Sequence, residues 1–266
     1  MPANDVAALS EPLEIVLREA GEIARATARR PLKHWTKGPD HSPVTEGDIE
    51  VNEFLQSRLV GLAPDAGWLS EESQDPPAQR SPLTWIVDPI DGTRAYISGR
   101  ADWSISVALV EHGRPVIAAL YAPVSDEMFF ALRGGGAALN GASIAVTPGQ
   151  TLAGARVAGP KRYLDRLSVL SPGLLPQPKI HSLALRIARV AQGSLDAAIA
   201  SGGSHDWDLA ATDLLVHEAG GALTDFAGRS LRYNEPHTTH GALIAAGSTR
   251  HRGLIGLVRD RQAEFA

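Results

Sequence analysis

The sequence predicts a mixed α/β fold of two lobes with a cleft between them, and three observations carry that prediction. The N-terminal region holds two amphipathic helical stripes, residues 84–132 hold short strand-like runs between turn signals, and beyond residue 155 strand-like and helical stretches alternate. A chain of 266 residues is long enough to bury a substantial core in this arrangement.

From Leu9, apolar residues fall at Leu13, Val16, Leu17, Ala20, Ile23 and Ala24 with charges opposite, which predicts a helix ending near Pro31. After a polar loop, Asp48 is placed to cap a second helix whose apolar face is Val51, Leu55, Leu59 and Leu62. Residues 67–70 and 84–87 read as short strands that deliver Glu71-Glu72 and Asp88 at their ends. Ile105, Val107 and Leu109 alternate, Glu111-His112-Gly113-Arg114 turns the chain, residues 116–121 return, and residues 128–132 extend the antiparallel meander. Gly134-Gly135-Gly136 is a turn, and residues 148–154 form the expected passage from an N-terminal lobe, 1–150, to a C-terminal lobe, 151–266. There, strands near Ala155 and Ala197 alternate with helices at 183–192, 209–219 and 252–265.

Composition narrows the function. A net charge of −5 with scattered Lys and Arg supplies no basic field, which argues against a nucleic-acid polymer as partner. The acidic residues Asp5, Glu11, Glu14 and Glu19 interrupt the apolar N-terminus, so neither a signal-peptide core nor a membrane span is expected there. The absence of cysteine excludes disulfides and thiolate metal sites, and a cytoplasmic location is the expectation. Any metal must then sit on oxygen or imidazole. The nine His residues show no ligand spacing, and none is assigned to a metal. Trp207 is expected to pack so as to fix Asp208, with Trp35, Trp68, Trp85 and Trp103 in the core or the cleft wall.

The stretch Trp85-Ile86-Val87-Asp88-Pro89-Ile90-Asp91-Gly92-Thr93-Arg94 is the most informative. An apolar strand ends in two carboxylates, Pro89 holds Asp88 extended, and the Gly92 and Thr93 N–H groups follow at once. Carboxylates beside anion-binding amides point to a divalent cation bridging protein and phosphate. Read singly, Asp88 and Asp91 suit a turn, Glu71 a solvated surface, and Asp208 the cap of a helix starting at Leu209.

Together, Glu71-Glu72, Asp88-Pro89-Ile90-Asp91-Gly92-Thr93, Trp207-Asp208-Leu209-Ala210-Ala211 and Glu218-Ala219-Gly220-Gly221 resemble the signature motifs of the inositol monophosphatase superfamily of Mg²⁺-dependent, lithium-sensitive phosphatases. The resemblance spans almost the whole chain, starting at Lys37, Ser42-Pro43-Val44-Thr45 and Asp48. It implies a layered α/β/α/β/α sandwich with the active site between the lobes, and either a monomer or a homodimer. It implies one Mg²⁺ on Glu71, Asp88 and the Ile90 carbonyl, a second on Asp88, Asp91 and Asp208, and room for a third near Glu71. It also implies that Thr93 and Asp48 orient and deprotonate the attacking water, with Glu71 beside them, and that the Gly92 and Thr93 amides cradle the phosphate.

The superfamily hydrolyses several small phosphoesters, so finer features must indicate the substrate. Residues 42–45, Leu69-Ser70 before the Glu pair, residues 92–97 and Tyr121-Ala122-Pro123-Val124 are similar to the bacterial 3'(2'),5'-bisphosphate nucleotidase branch. Ser201 stands where an inositol phosphatase places a sugar-binding Glu. A bisphosphate needs further cations, and Lys161, Arg162 and Arg186 are the expected ones. Inositol 1-phosphate or another sugar phosphate is the alternative substrate, and a non-catalytic binding protein the remoter one.

Overall fold

The helical stripes form as their spacing requires. In the computed structural model, which describes residues 6–38, 41–73 and 81–265, α1 (Ser10–Ala28) buries Leu13, Val16, Leu17, Ala20 and Ala24 along one face. A hairpin, β1 (His34–Lys37) and β2 (Ser42–Thr45), replaces the expected polar loop. Next, α2 (Glu46–Leu62) buries Val51, Leu55 and Leu59. Its cap is Thr45, whose hydroxyl accepts from the Gly47 and Asp48 amides, while Asp48 returns a bond to the Thr45 amide. Asp48 thus lies in the first turn rather than at the cap, the reciprocal position of a capping box.

β3 (Gly67–Ser70) pairs in parallel with β4 (Leu83–Asp91), and a short helix α3 (Thr93–Ile97) follows. β5 (Ser104–Glu111), β6 (Arg114–Ala122), β7 (Glu127–Leu132), β8 (Gly136–Leu139) and β9 (Ala142–Ile144) continue antiparallel, completing a seven-stranded sheet in sequential order.

Residues beyond 155 build a second sheet from β10 (Arg156–Ala158), β11 (Leu175–Pro176), β12 (Ala197–Ala200), β14 (Gly221–Asp225) and β16 (Leu243–Gly247), in the order β11-β10-β12-β16-β14. The short pair β13 (Ser204–His205) and β15 (Thr239–His240) closes beside it. The helices here are α4 (Lys161–Leu170), α5 (Leu183–Ala191), α6 (Asp206–Glu218) and α7 (Ser248–Val258), the last continued by a 3₁₀ segment, Arg259–Phe265. The expected C-terminal helix therefore starts four residues earlier and tightens after Val258. Lys161 and Arg162, the expected cations, open the helix α4, for which the sequence reading has no element.

Side-chain alternation sorts these elements into five layers. Trp85, Val87, Ile105, Val107 and Leu109 face α1 and α2, whereas Ile86, Ala108, Val110, Ala118 and Leu120 face the opposite way, onto α5 and α6. Ala198, Ala200 and Ala245 of the second sheet cover α5 and α6 from the other side, and Ala197, Ile199, Ile244 and Ala246 turn out toward α4 and α7. The result is an α/β/α/β/α sandwich. Because α6 lies between two sheets it buries Leu209, Ala210, Ala211, Thr212, Leu214, Leu215 and Val216 nearly all round, which explains its lack of a polar stripe.

Candidate active site

Strict alternation along β4 would send Asp88 and Asp91, three residues apart, to opposite faces. Instead the register slips between them: Asp88 pairs with Ser106 and Asp91 with Ser104. Pro89 supplies no ladder N–H, and the resulting bulge turns both carboxylates to one side. Asp208 joins them from the first turn of α6, and one oxygen from each of Asp88, Asp91 and Asp208 lies within 4.8 Å of the others. Glu71 arrives from the end of β3 in hydrogen-bonding contact with Asp88. These four carboxylates, with Ile90, Gly92 and Thr93, line one cavity of about 300 Å³.

Each carboxylate is held by part of its bonding capacity. Asp91 Oδ2 accepts from Ser182 Oγ and from the Ala184 amide at the start of α5, both at 2.6 Å. Asp208 Oδ2 accepts from the His205 amide at 2.7 Å, and Asp88 Oδ1 from the Ile90 amide at 3.1 Å. Ser106 Oγ donates to the Trp207 carbonyl at 3.2 Å, tying the Asp208 helix to β5. Trp207 stacks on His205 at 4.5 Å, which holds the same turn.

The electrostatics of this cluster are unfavourable without a cation. Burial, then repulsion from Glu71, Asp91 and Asp208, drives Asp88 well above the ordinary carboxylate range; burial, then Asp91, does the same to Asp208. Burial also raises Asp91 and Glu71, the latter despite Lys37. Lys37 Nζ lies 3.3 Å from Glu71 Oε1 and 2.5 Å from Glu72 Oε1, a neutralising role that residue spacing alone did not assign to it. Anionic oxygens packed this closely in a dry site are a donor set suited to a hard divalent ion.

Thr93 Oγ1 lies 3.4 Å from Asp48 Oδ1 and 3.1 Å from the Ile90 carbonyl. Both Thr45 groups bond the other Asp48 oxygen, at 2.8 and 2.6 Å, so Oδ1 is left for Thr93. Burial raises the Asp48 carboxyl to about 7, against the Thr45 hydrogen bonds. Gly92 takes φ +94°, and a Cβ there would stand 3.1 Å from the Ser182 amide nitrogen and 3.2 Å from the Asp102 carbonyl. Only glycine suits both the conformation and the space.

The remaining predicted residues lie elsewhere. Lys161 is exposed on α4 and paired with Asp165 at 2.6 Å, and Arg162 lies over the Tyr163 ring at 4.7 Å. Neither lines the carboxylate cavity. Arg186 is largely buried on α5, electrostatically coupled to Asp91, with its Nε lacking a hydrogen-bond partner among the described residues. Trp85 and Trp103 are buried, whereas Trp35 is 46% exposed because it sits on the β1–β2 hairpin outside the layers. Asp206, in the same acidic run as Asp208, is structural: it accepts from His240 Nε2 and the Asn234 amide, both at 2.7 Å. His181, Arg94 and Lys179 line the cavity without having been singled out from the sequence. Arg94 ends the most informative stretch but is given no role there, whereas Lys179 and His181 sit in a segment with no motif, and proximity in the fold is the signal for their place in the cavity.

A model of the inositol monophosphatase family matches residues 6–263. The 3'(2'),5'-bisphosphate nucleotidase CysQ of Aggregatibacter actinomycetemcomitans is 31% identical over 245 residues, covering 88% of this chain and 90% of that protein. The inositol-1-monophosphatase of Rhizobium meliloti is 32% identical over 220 residues, 79% and 80% of the two chains. Among solved structures, the Thermotoga maritima IMPase superimposes with a TM-score of 0.83 at 26% identity over 95% of this chain and 97% of that one.

Proposed function

Since the chain belongs to the inositol monophosphatase family, and is therefore a phosphatase of phosphate monoesters, we propose that it is a Mg²⁺-dependent 3'(2'),5'-bisphosphate nucleotidase converting 3'-phosphoadenosine 5'-phosphate to AMP and phosphate. The observation that carries the reaction is the convergence of Asp88, Asp91 and Asp208 within 4.8 Å, beside Glu71. We read residues 1–150 as the lobe supplying most ligands and 151–266 as the lobe supplying Asp208.

Glu71, Asp88, Asp91, Asp208 and the Ile90 carbonyl would hold two Mg²⁺, with Glu71 offering a place for a third. When bound, Mg²⁺ neutralises phosphoryl charge and lowers the pKa of water toward neutrality. Thr93 donates its hydroxyl proton to Asp48 and accepts from the water, which fixes the direction of attack on phosphorus. Asp48, with its carboxyl near neutrality, is suited to receive the proton. The Gly92 and Thr93 amides, at the end of β4, are placed to hold the phosphoryl oxygens.

Ser201 in place of a sugar-binding Glu and the similarity to CysQ support the nucleotide substrate. The Rhizobium relative, of similar identity, favours inositol 1-phosphate as a second reading. Arg186, its Nε unpartnered, is the proposed contact to a nucleotide phosphate. No described helix is long and apolar enough to cross a membrane, and we place the enzyme in the cytoplasm. Phosphate release should be measured from 3'-phosphoadenosine 5'-phosphate, inositol 1-phosphate, histidinol phosphate and fructose 1,6-bisphosphate. The highest kcat/KM is expected for the first. A higher value for inositol 1-phosphate transfers the assignment to the second reading, and no release from any substrate contradicts the phosphatase.

A further inference from the structure

The cavity that holds the carboxylates also has a basic side. Arg94 follows Thr93 on α3 with its side chain exposed, Lys179 is exposed ahead of α5, and His181 lies two residues further on; all three line the cavity. Two other nearby cations are already engaged, Lys37 with Glu71 and Glu72 and Arg100 with Asp102, and Arg186, beside Asp91, does not line the cavity. The Arg94 and Lys179 side chains have no hydrogen bond or ion pair among the described residues.

Lys179 does not hang on a loose loop. The Gln177 amide donates to the Val157 carbonyl of β10 at 2.9 Å, while the His181 and Ser182 amides donate to Asp102 Oδ2 and to its carbonyl at 2.9 and 3.1 Å. Pro176 and Pro178 restrict the backbone between these anchors. The segment is therefore a short strap pinned to both halves of the molecule, with Lys179 between the pins. Asp102 Oδ2 also takes His181 Nδ1 at 2.7 Å, which fixes the imidazole and leaves Nε2 as its free nitrogen.

A phosphoester whose leaving group is neutral has no use for these charges, because the Gly92 and Thr93 amides and the carboxylate floor already serve the scissile phosphate. We propose that Arg94, Lys179 and His181 form a second anion subsite, which makes the enzyme prefer phosphoesters whose leaving group carries its own phosphate. This rests on the phosphatase reading above and gives the second phosphate contacts that Lys161 and Arg162, away from the cavity, do not supply.

The test uses a matched pair: 3'-phosphoadenosine 5'-phosphate and 3'-AMP, which differ only in the 5'-phosphate. Both cations are exposed, so substitution should leave the fold and Tm unchanged, and solvent screening limits each to about fivefold. In Arg94→Ala/Lys179→Ala, kcat/KM for the bisphosphate should fall about 25-fold, mainly through KM, and for 3'-AMP by less than about twofold. His181→Ala should move the same ratio in the same direction. Raising the salt from about 0.05 to 0.5 M should shrink the wild-type preference and leave the double variant indifferent. Equal losses on both substrates, or none on the bisphosphate, overturn the subsite while the phosphatase stands. If wild type turns over neither substrate, the reaction proposed above fails instead. Calorimetric binding of the same two nucleotides then reads the subsite directly, and equal affinities overturn it.

Discussion

The carboxylate cluster makes opposing demands on activity and stability at single residues. Asp88 is fully buried among three other acids, and burial and repulsion both press it toward the neutral form. Asp88→Asn should therefore raise the Tm of the chelated protein while lowering turnover by about 10³-fold or more. Calorimetry and phosphate release on the same samples check both halves; a lower Tm with chelator present contradicts the repulsion. Asp91→Asn should likewise fold and fail to turn over, whereas Thr93→Ala, which removes only the hydroxyl proposed to orient the water, should cost about 10²-fold. Gly92→Ala adds a Cβ against the Ser182 and Asp102 backbones at φ +94°, and should lose about 1–2 kcal/mol from the backbone conformation alone, with activity falling further as α5 is displaced. Chemical denaturation measures the first effect.

At the scale of elements, α2 and α6 each deliver a carboxylate to the candidate site by the same device, an acid at the third helical position bonding back to the cap residue's amide. Thr45→Ala should cost about 1 kcal/mol of stability through the lost cap. Because the Thr45 bonds hold Asp48 down against burial, the same variant should move the acidic limb of the pH–rate profile to higher pH. An unshifted limb would remove Asp48 from proton transfer. Which elements were legible follows from such physics. The helices α1, α2 and α5 and the β5–β7 meander carry a period, α6 shows itself as an apolar run after the Trp207-Asp208 motif, and the acidic motifs announce themselves by spacing. The hairpin β1–β2 was hidden because it lies outside the layers, with exposed Trp35 breaking any alternation. The helix α4 was hidden by Pro160 and the charged Lys161-Arg162 start, which resemble a loop. The Asp102–His181 contact spans 79 residues and belongs to no periodic pattern.

The whole molecule brings two sheets together around α5 and α6, and the site exists because that closure places Asp208 against β4. It also concentrates buried acids. Burial raises Asp48 to about 7 and Asp213 to about 6, and burial with repulsion raises Asp88 and Asp208. An unfolded Asp titrates near 3.9, so between about pH 4 and 7 the metal-free native chain binds more protons than the unfolded chain, and stability falls as pH rises. His251, lowered by burial, acts in the opposite sense over part of this range, against these four acids and against Asp91, Glu71 and Glu72, which burial also raises. Asp196, held at about 2 by Arg156 and Thr147 against burial, matters only below the range. The chelated protein should thus melt at higher temperature at pH 5 than at pH 8, and saturating Mg²⁺ should reverse the order; a flat profile without metal contradicts the cluster's electrostatics.

The most direct test of the central claim is phosphate release from 3'-phosphoadenosine 5'-phosphate by exhaustively chelated protein as Mg²⁺ is titrated back. Converging carboxylates that work through divalent ions predict no release in chelator and a saturable recovery with added Mg²⁺. Full turnover in the continued absence of divalent ions would contradict the account.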